Sequence, residues 1–77
     1  MTTRDVVLVV FPGLQGLDLI GPAEVFAAAT QEVGRPAYRV RVAATTPGPA
    51  ASSSGVAIVA GEAIRDVAGP IDTLMVV

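Results

Sequence analysis

The 77-residue chain contains no cysteine, no histidine, no tryptophan and no lysine. Without cysteine, no disulfide can staple a small core. Without cysteine and histidine there is no Cys/His zinc site, no thiolate nucleophile and no imidazole base. No metal or cofactor is expected from these residues. Two Phe and one Tyr are the only aromatics, too few for a base-stacking platform. Basic charge is also sparse. Arg4, Arg35, Arg39, Arg41 and Arg65 are scattered, and seven carboxylates outnumber them to leave a net charge of −2. Nucleic-acid affinity rests on clustered basic side chains, so no nucleic-acid partner is expected for this segment. Arg39 and Arg41 read as a solvated strand face. The apolar run Val6–Phe11 is far shorter than the roughly 20 residues that span a bilayer. Asp5 precedes that run and no small-residue cleavage site follows it, which argues against a signal peptide. The expectation is a cytoplasmic protein with no membrane partner.

What is present is apolar: 52% of the residues are hydrophobic. Val6–Phe11 lacks alternation and is bounded by Arg4-Asp5 and Pro12-Gly13, as expected of a strand buried on both faces of a parallel sheet. Pro12–Gly16 is a loop. Gly21-Pro22-Ala23-Glu24 signals a helix start, with Pro22 at the first helical position and an acid in the first turn. Leu19, Ala23, Phe26, Thr30 and Val33 recur at helical spacing, and Gly34 and Pro36 end the helix. Tyr38–Ala44 alternates, with Tyr38, Val40 and Val42 on one side and Arg39 and Arg41 on the other. That pattern fits a strand near a sheet edge. Thr45–Pro49 is a loop. Ala51–Ser54 and Val56–Ala60 suit two short strands around Gly55, or one strand broken by it. Glu62–Val67 is a short helix closed by Gly69-Pro70, and Asp72–Val77 is a last apolar strand. The order β-α-β-β-β-α-β predicts an α/β fold with a mostly parallel sheet.

Few residues here bring chemistry. Gly13-Leu-Gln-Gly16 follows a strand but matches neither a dinucleotide fingerprint nor a Walker A loop. A tight turn explains it. Asp18, between Leu17 and Leu19-Ile20, is the most informative acid. Either it caps an added first helical turn, or it is partly buried and able to hold a proton. Glu24 matches the third position of a capping box with Gly21 in place of Ser or Thr. Ser52-Ser-Ser-Gly55 suits a hairpin turn. Residues 1–77 end within an apolar strand and offer two helices for four or five strands. A partial domain is therefore expected, the N-terminal half of an α/β unit.

Together, Val9-Val-Phe-Pro-Gly13, Leu17-Asp-Leu-Ile-Gly-Pro-Ala-Glu-Val-Phe26, Tyr38-Arg-Val-Arg-Val-Ala43, Ser53-Ser-Gly55 and Gly69-Pro-Ile-Asp-Thr-Leu74 resemble the start of a ThiJ/PfpI domain. That resemblance covers nearly the whole chain and implies a flavodoxin-like sheet within the glutamine-amidotransferase-like superfamily. The string from Leu17 to Phe26 is shared by sensor domains of AraC-type transcriptional regulators and by isonitrile-hydratase-like enzymes. The later segments are closer to the regulators. In the superfamily an acid after the first strand contacts a nucleophilic cysteine, and Asp18 stands at that acid's position. The resemblance places the cysteine beyond Val77, so these residues alone are not expected to turn over substrate. It further implies a small-molecule ligand and a homodimer in the intact protein.

Overall fold

The computed structural model describes residues 3–77. The elements are β1 (Arg4–Val9), α1 (Gly16–Val33), β2 (Tyr38–Ala44), β3 (Gly48–Ala51), β4 (Ala57–Ala60), β5 (Glu62–Ala63), a 3-10 turn at Ile64–Asp66, and β6 (Thr73–Val76). Four strands form a parallel sheet in the order β5-β2-β1-β6, and β3 and β4 form an antiparallel hairpin. The chain leaves β1, crosses through α1 to β2, and later returns to the opposite side of β1 as β6. The β2-β1-β6 arrangement is the doubly wound, flavodoxin-like one, with its switch point between β1 and β6.

β1 is central because its residues tolerate burial on both faces. Val6, Val7, Leu8 and Val10 are all buried. Alternate residues face α1: Val6, Leu8 and Val10 join Leu14, Leu19, Ala44 and Ala60 in the core, flanked by Ala23, Phe26, Tyr38, Val40 and Val42. Burying a side chain such as Leu8 contributes about 2 kcal/mol. The Phe26 and Tyr38 rings meet edge to face, with centroids 5.0 Å apart. Thr30 Oγ1 donates to the Phe26 carbonyl and accepts from the Tyr38 amide, tying the end of α1 to the start of β2. Among the described residues, no helix is long and apolar enough to cross a membrane.

The structure corrects several boundaries. α1 begins at Gly16, and Pro22 lies inside it. Packing of Leu19 onto the sheet and the good helix formers Leu17 and Leu19 outweigh the breaker. Glu24 is consequently mid-helix and exposed, not part of a capping box. Leu19, Ala23, Phe26 and Thr30 face inward as their spacing predicts, but Val33 is exposed. Glu62–Val67 is not an α-helix. Glu62-Ala63 pairs with Ala43-Ala44, and only one 3-10 turn follows. The hairpin starts earlier than expected, at Gly48, with Pro49 opposite Val59. A two-stranded ribbon leaves both strands as edges, where proline is tolerated.

Candidate functional site

In a doubly wound sheet, ligands bind beyond the carboxyl ends of the strands, at the switch point. Here that edge is built from the loop after β1, the first turn of α1 and the β3–β4 turn. Gly13 adopts φ +88°, a left-handed conformation that favours glycine. Its amide donates to the Ala51 carbonyl at 2.8 Å, and the Ser53 amide donates to the Leu14 carbonyl at 2.8 Å. These two bonds clamp the hairpin turn against the β1–α1 loop. Ser52 is buried there, its hydroxyl 3.0 Å from that of Ser54. A Cβ added at Gly16 would stand 3.9 Å from the Ser52 side chain, so the turn rests directly against the helix start.

Asp18 lies in the first turn of α1. Its amide donates to the Gln15 carbonyl at 3.0 Å. The N-cap residue is Gln15, which makes no side-chain cap hydrogen bond. Asp18 is therefore not the cap. Nor is it partly buried: it is exposed, because Leu19 takes the inward position and Leu17 and Asp18 face away. Both expectations about its surroundings are corrected. What remains is an exposed carboxylate near the free N–H groups at the N-terminal end of an 18-residue helix.

A second cluster lies on the sheet face away from α1. Arg39 and Arg41 were expected to be solvated, but Arg41 is only 11% exposed at its side chain. Its guanidinium donates to both Glu62 oxygens, at 2.8 and 2.5 Å, and to Asp5 at 3.0 Å. It also reaches the Ala68 carbonyl at 3.2 Å. Arg39 makes a two-point pair with Asp5, at 3.1 and 2.7 Å. The cause is the register: Asp5 pairs with Arg39, and Ala43 pairs with Glu62, so acids from both neighbouring strands flank the arginines. Hydrogen bonding from Arg39 and then Arg41 holds Asp5 below the usual carboxylate range, against an opposing desolvation effect. Hydrogen bonding from Arg41 does the same for Glu62, and its carboxylate raises Arg41 further. Alternating arginines with an acid on a neighbouring strand were the available sequence signal. This is an ion-pair network that joins three strands, and its acids are already committed to arginine. It does not include Asp18.

Among the described residues, no group of three or more acidic side chains is placed to hold a metal ion. No protein-family model matches the chain, and no curated protein matches it. A solved structure does. The crystal structure of a ThiJ/PfpI family protein from Pseudomonas syringae superimposes with a TM-score of 0.82 at 22% sequence identity, over 99% of this chain and 29% of that one. The chain thus spans under a third of the length of that protein. The likeness establishes the fold: residues 3–77 adopt the α/β arrangement found in a ThiJ/PfpI family protein.

Proposed function

We propose that the chain is the N-terminal portion of a ThiJ/PfpI-like ligand-sensing domain of an AraC-type transcriptional regulator. The single observation that carries this reading is the placement of the Leu17–Phe26 string. It opens α1 at the carboxyl edge of β1, the central strand of a sheet with the ThiJ/PfpI arrangement. Asp18 then presents a carboxylate at the edge where ligands of such sheets bind. In this reading Asp18 contacts the ligand or the residue that faces it from the other half of the domain, and the whole domain works as a homodimer.

The enzyme reading uses the same geometry. With a cysteine supplied from the other half, the Asp18 carboxylate would accept hydrogen bonds from groups around that nucleophile and orient them, as in isonitrile-hydratase-like enzymes. The segments Ser53-Ser-Gly55 and Gly69–Leu74 resemble the regulators more, which favours sensing.

The test is Asp18→Asn in the full-length protein, a change that keeps size and removes charge. The expected result is a normal melting midpoint with at least a tenfold loss of ligand-dependent transcription. Asp18 is exposed, so its replacement leaves the fold intact. An unchanged transcriptional response in the folded variant would overturn the assignment of Asp18. Loss of isonitrile hydration in place of a transcriptional effect would establish the enzyme reading.

A further inference from the structure

We propose that a recess between the carboxyl ends of β1 and β2 binds a small uncharged organic molecule, an apolar ring carrying one hydrogen-bonding group. The recess holds about 220 Å³. Buried Val10, Ala44 and Ala50 line it from the protein side, while Phe11, the loop prolines Pro12 and Pro47, and Pro49 of β3 line its exposed part. A dry cavity of roughly 150 Å³ is enough for benzene, so this volume suits a six-membered ring with one substituent.

Lining chemistry sets the ligand class. No charged side chain lines the recess, so a charged ligand would lose its hydration without a compensating partner. Its side-chain polar groups are the hydroxyls of Thr45 and Thr46, both exposed and both on the loop after β2. Each hydroxyl can donate one hydrogen bond and accept others. That combination selects a neutral molecule with one polar handle over a carboxylate, phosphate or ammonium.

The recess is also preformed. Pro12 and Pro47 fix φ in its loops, and Pro49 fixes it in β3. The Val10 amide donates to the Ala43 carbonyl at 2.9 Å, holding the ends of the two strands together. Little ordering is left to be done on binding. The site lies on the β1–β2 side of the central strand. The switch point of the sheet lies on the β1–β6 side, and Asp18 is not among the residues that line the recess. The assignment therefore stands whether the protein is a regulator or an enzyme.

Phenol is the probe, with benzoate and benzene as controls, titrated into the full-length protein with 13C-labelled Ala and Thr methyl groups. Phenol is expected to shift the Ala44, Ala50, Thr45 and Thr46 methyls saturably, with a Kd on the order of millimolar for so few atoms. Benzoate at neutral pH is expected to leave them unmoved. In a Thr45→Val, Thr46→Val variant, phenol should bind about fivefold more weakly, the value of one hydrogen bond, while benzene binding is unchanged. Ala50→Leu should abolish both. If Ala50→Leu fails to fold, the threonine variant decides, because its changes are exposed and nearly isosteric. Phenol shifts that are absent, unsaturable or located elsewhere would overturn the proposal, as would benzoate binding as tightly as phenol.

Discussion

Arg41 reaches carboxylates on two other strands, while Arg39, two residues earlier, reaches only Asp5 and is 64% exposed at its side chain. The same residue type therefore does different work at the two positions. An exposed pair contributes little, whereas removing Arg41 leaves Glu62 without its partner and frees the Ala68 carbonyl. Arg41→Ala is expected to lower the chemical-denaturation midpoint clearly more than Arg39→Ala, measured side by side in the full-length protein. The network also sets a pH dependence. Asp5 and Glu62 are held below their ordinary values of 3.8 and 4.5, so the unfolded chain binds protons more readily than the folded one. Their stabilisation is complete above those ordinary values and is lost as the pH falls through the lowered ones. Midpoints measured from about pH 7 down to about pH 3 should fall on the acid side, and Arg41→Ala should flatten that fall. An acid limb of equal slope in the variant would place the titrating groups elsewhere. In the sequence, the alternation of Tyr38–Ala44 identified the strand and its two faces. It could not identify the partners of Arg41, because pairing with Glu62 depends on β5 lying against β2, a contact made 21 residues away.

At the scale of elements, α1 shows where local signals suffice and where packing overrides them. Its end was legible. Gly34 adopts φ +74° and its amide donates to the Thr30 and Gln31 carbonyls, the left-handed cap that glycine followed by proline announces. Gly34→Ala is expected to cost about 1 kcal/mol, the steric penalty of a side chain in that conformation, read from the denaturation midpoint. A neutral outcome would mean that the helix end rearranges. The helix start was only partly legible: Leu19 fits the helical spacing and an added turn was one reading of Asp18, but the start signal pointed to Pro22. Pro22 normally marks a first turn, yet here it sits in the seventh helical position, with no N–H to offer the Asp18 carbonyl four residues back. The extra turn exists because Leu14 and Leu19 are drawn into the core beneath it, a long-range effect that no local pattern carries. That override is also what moved Asp18 from the cap to an exposed first-turn position. The strand at Glu62-Ala63 was missed for a related reason: two residues carry no periodicity, and only pairing with β2 defines them.

Residues 3–77 form a slab measuring 37 × 25 × 16 Å. Sixteen ångströms accommodates one sheet and one helical layer. The parallel order of the sheet was legible from alternating strand and helix signals. The incomplete cover of the second face was legible only as a shortage of helices, and one fewer α-helix formed than expected. Parallel sheets are ordinarily covered on both faces, and here the part of the second face left exposed at β6 is apolar. Leu74 and Val76 are 62% and 72% exposed. They pair with Val7 and Val9 on the face away from α1, at a strand whose outer edge has no partner among the described residues. On the helix side Leu17 is 77% exposed. A net charge of −2 provides little repulsion between copies. As an isolated polypeptide, residues 1–77 are therefore expected to unfold over a broad range and to self-associate at micromolar concentrations through the β6 edge. Leu74→Lys with Val76→Lys places charge on that edge and face, and should return the chain to a monomer in light scattering without sharpening the melt. The core stays as small as before, so solubility and cooperativity respond to different parts of the molecule. A sharp two-state melt from a monomeric, unsubstituted chain would show that one helix and twelve buried hydrophobic residues already make a self-sufficient domain.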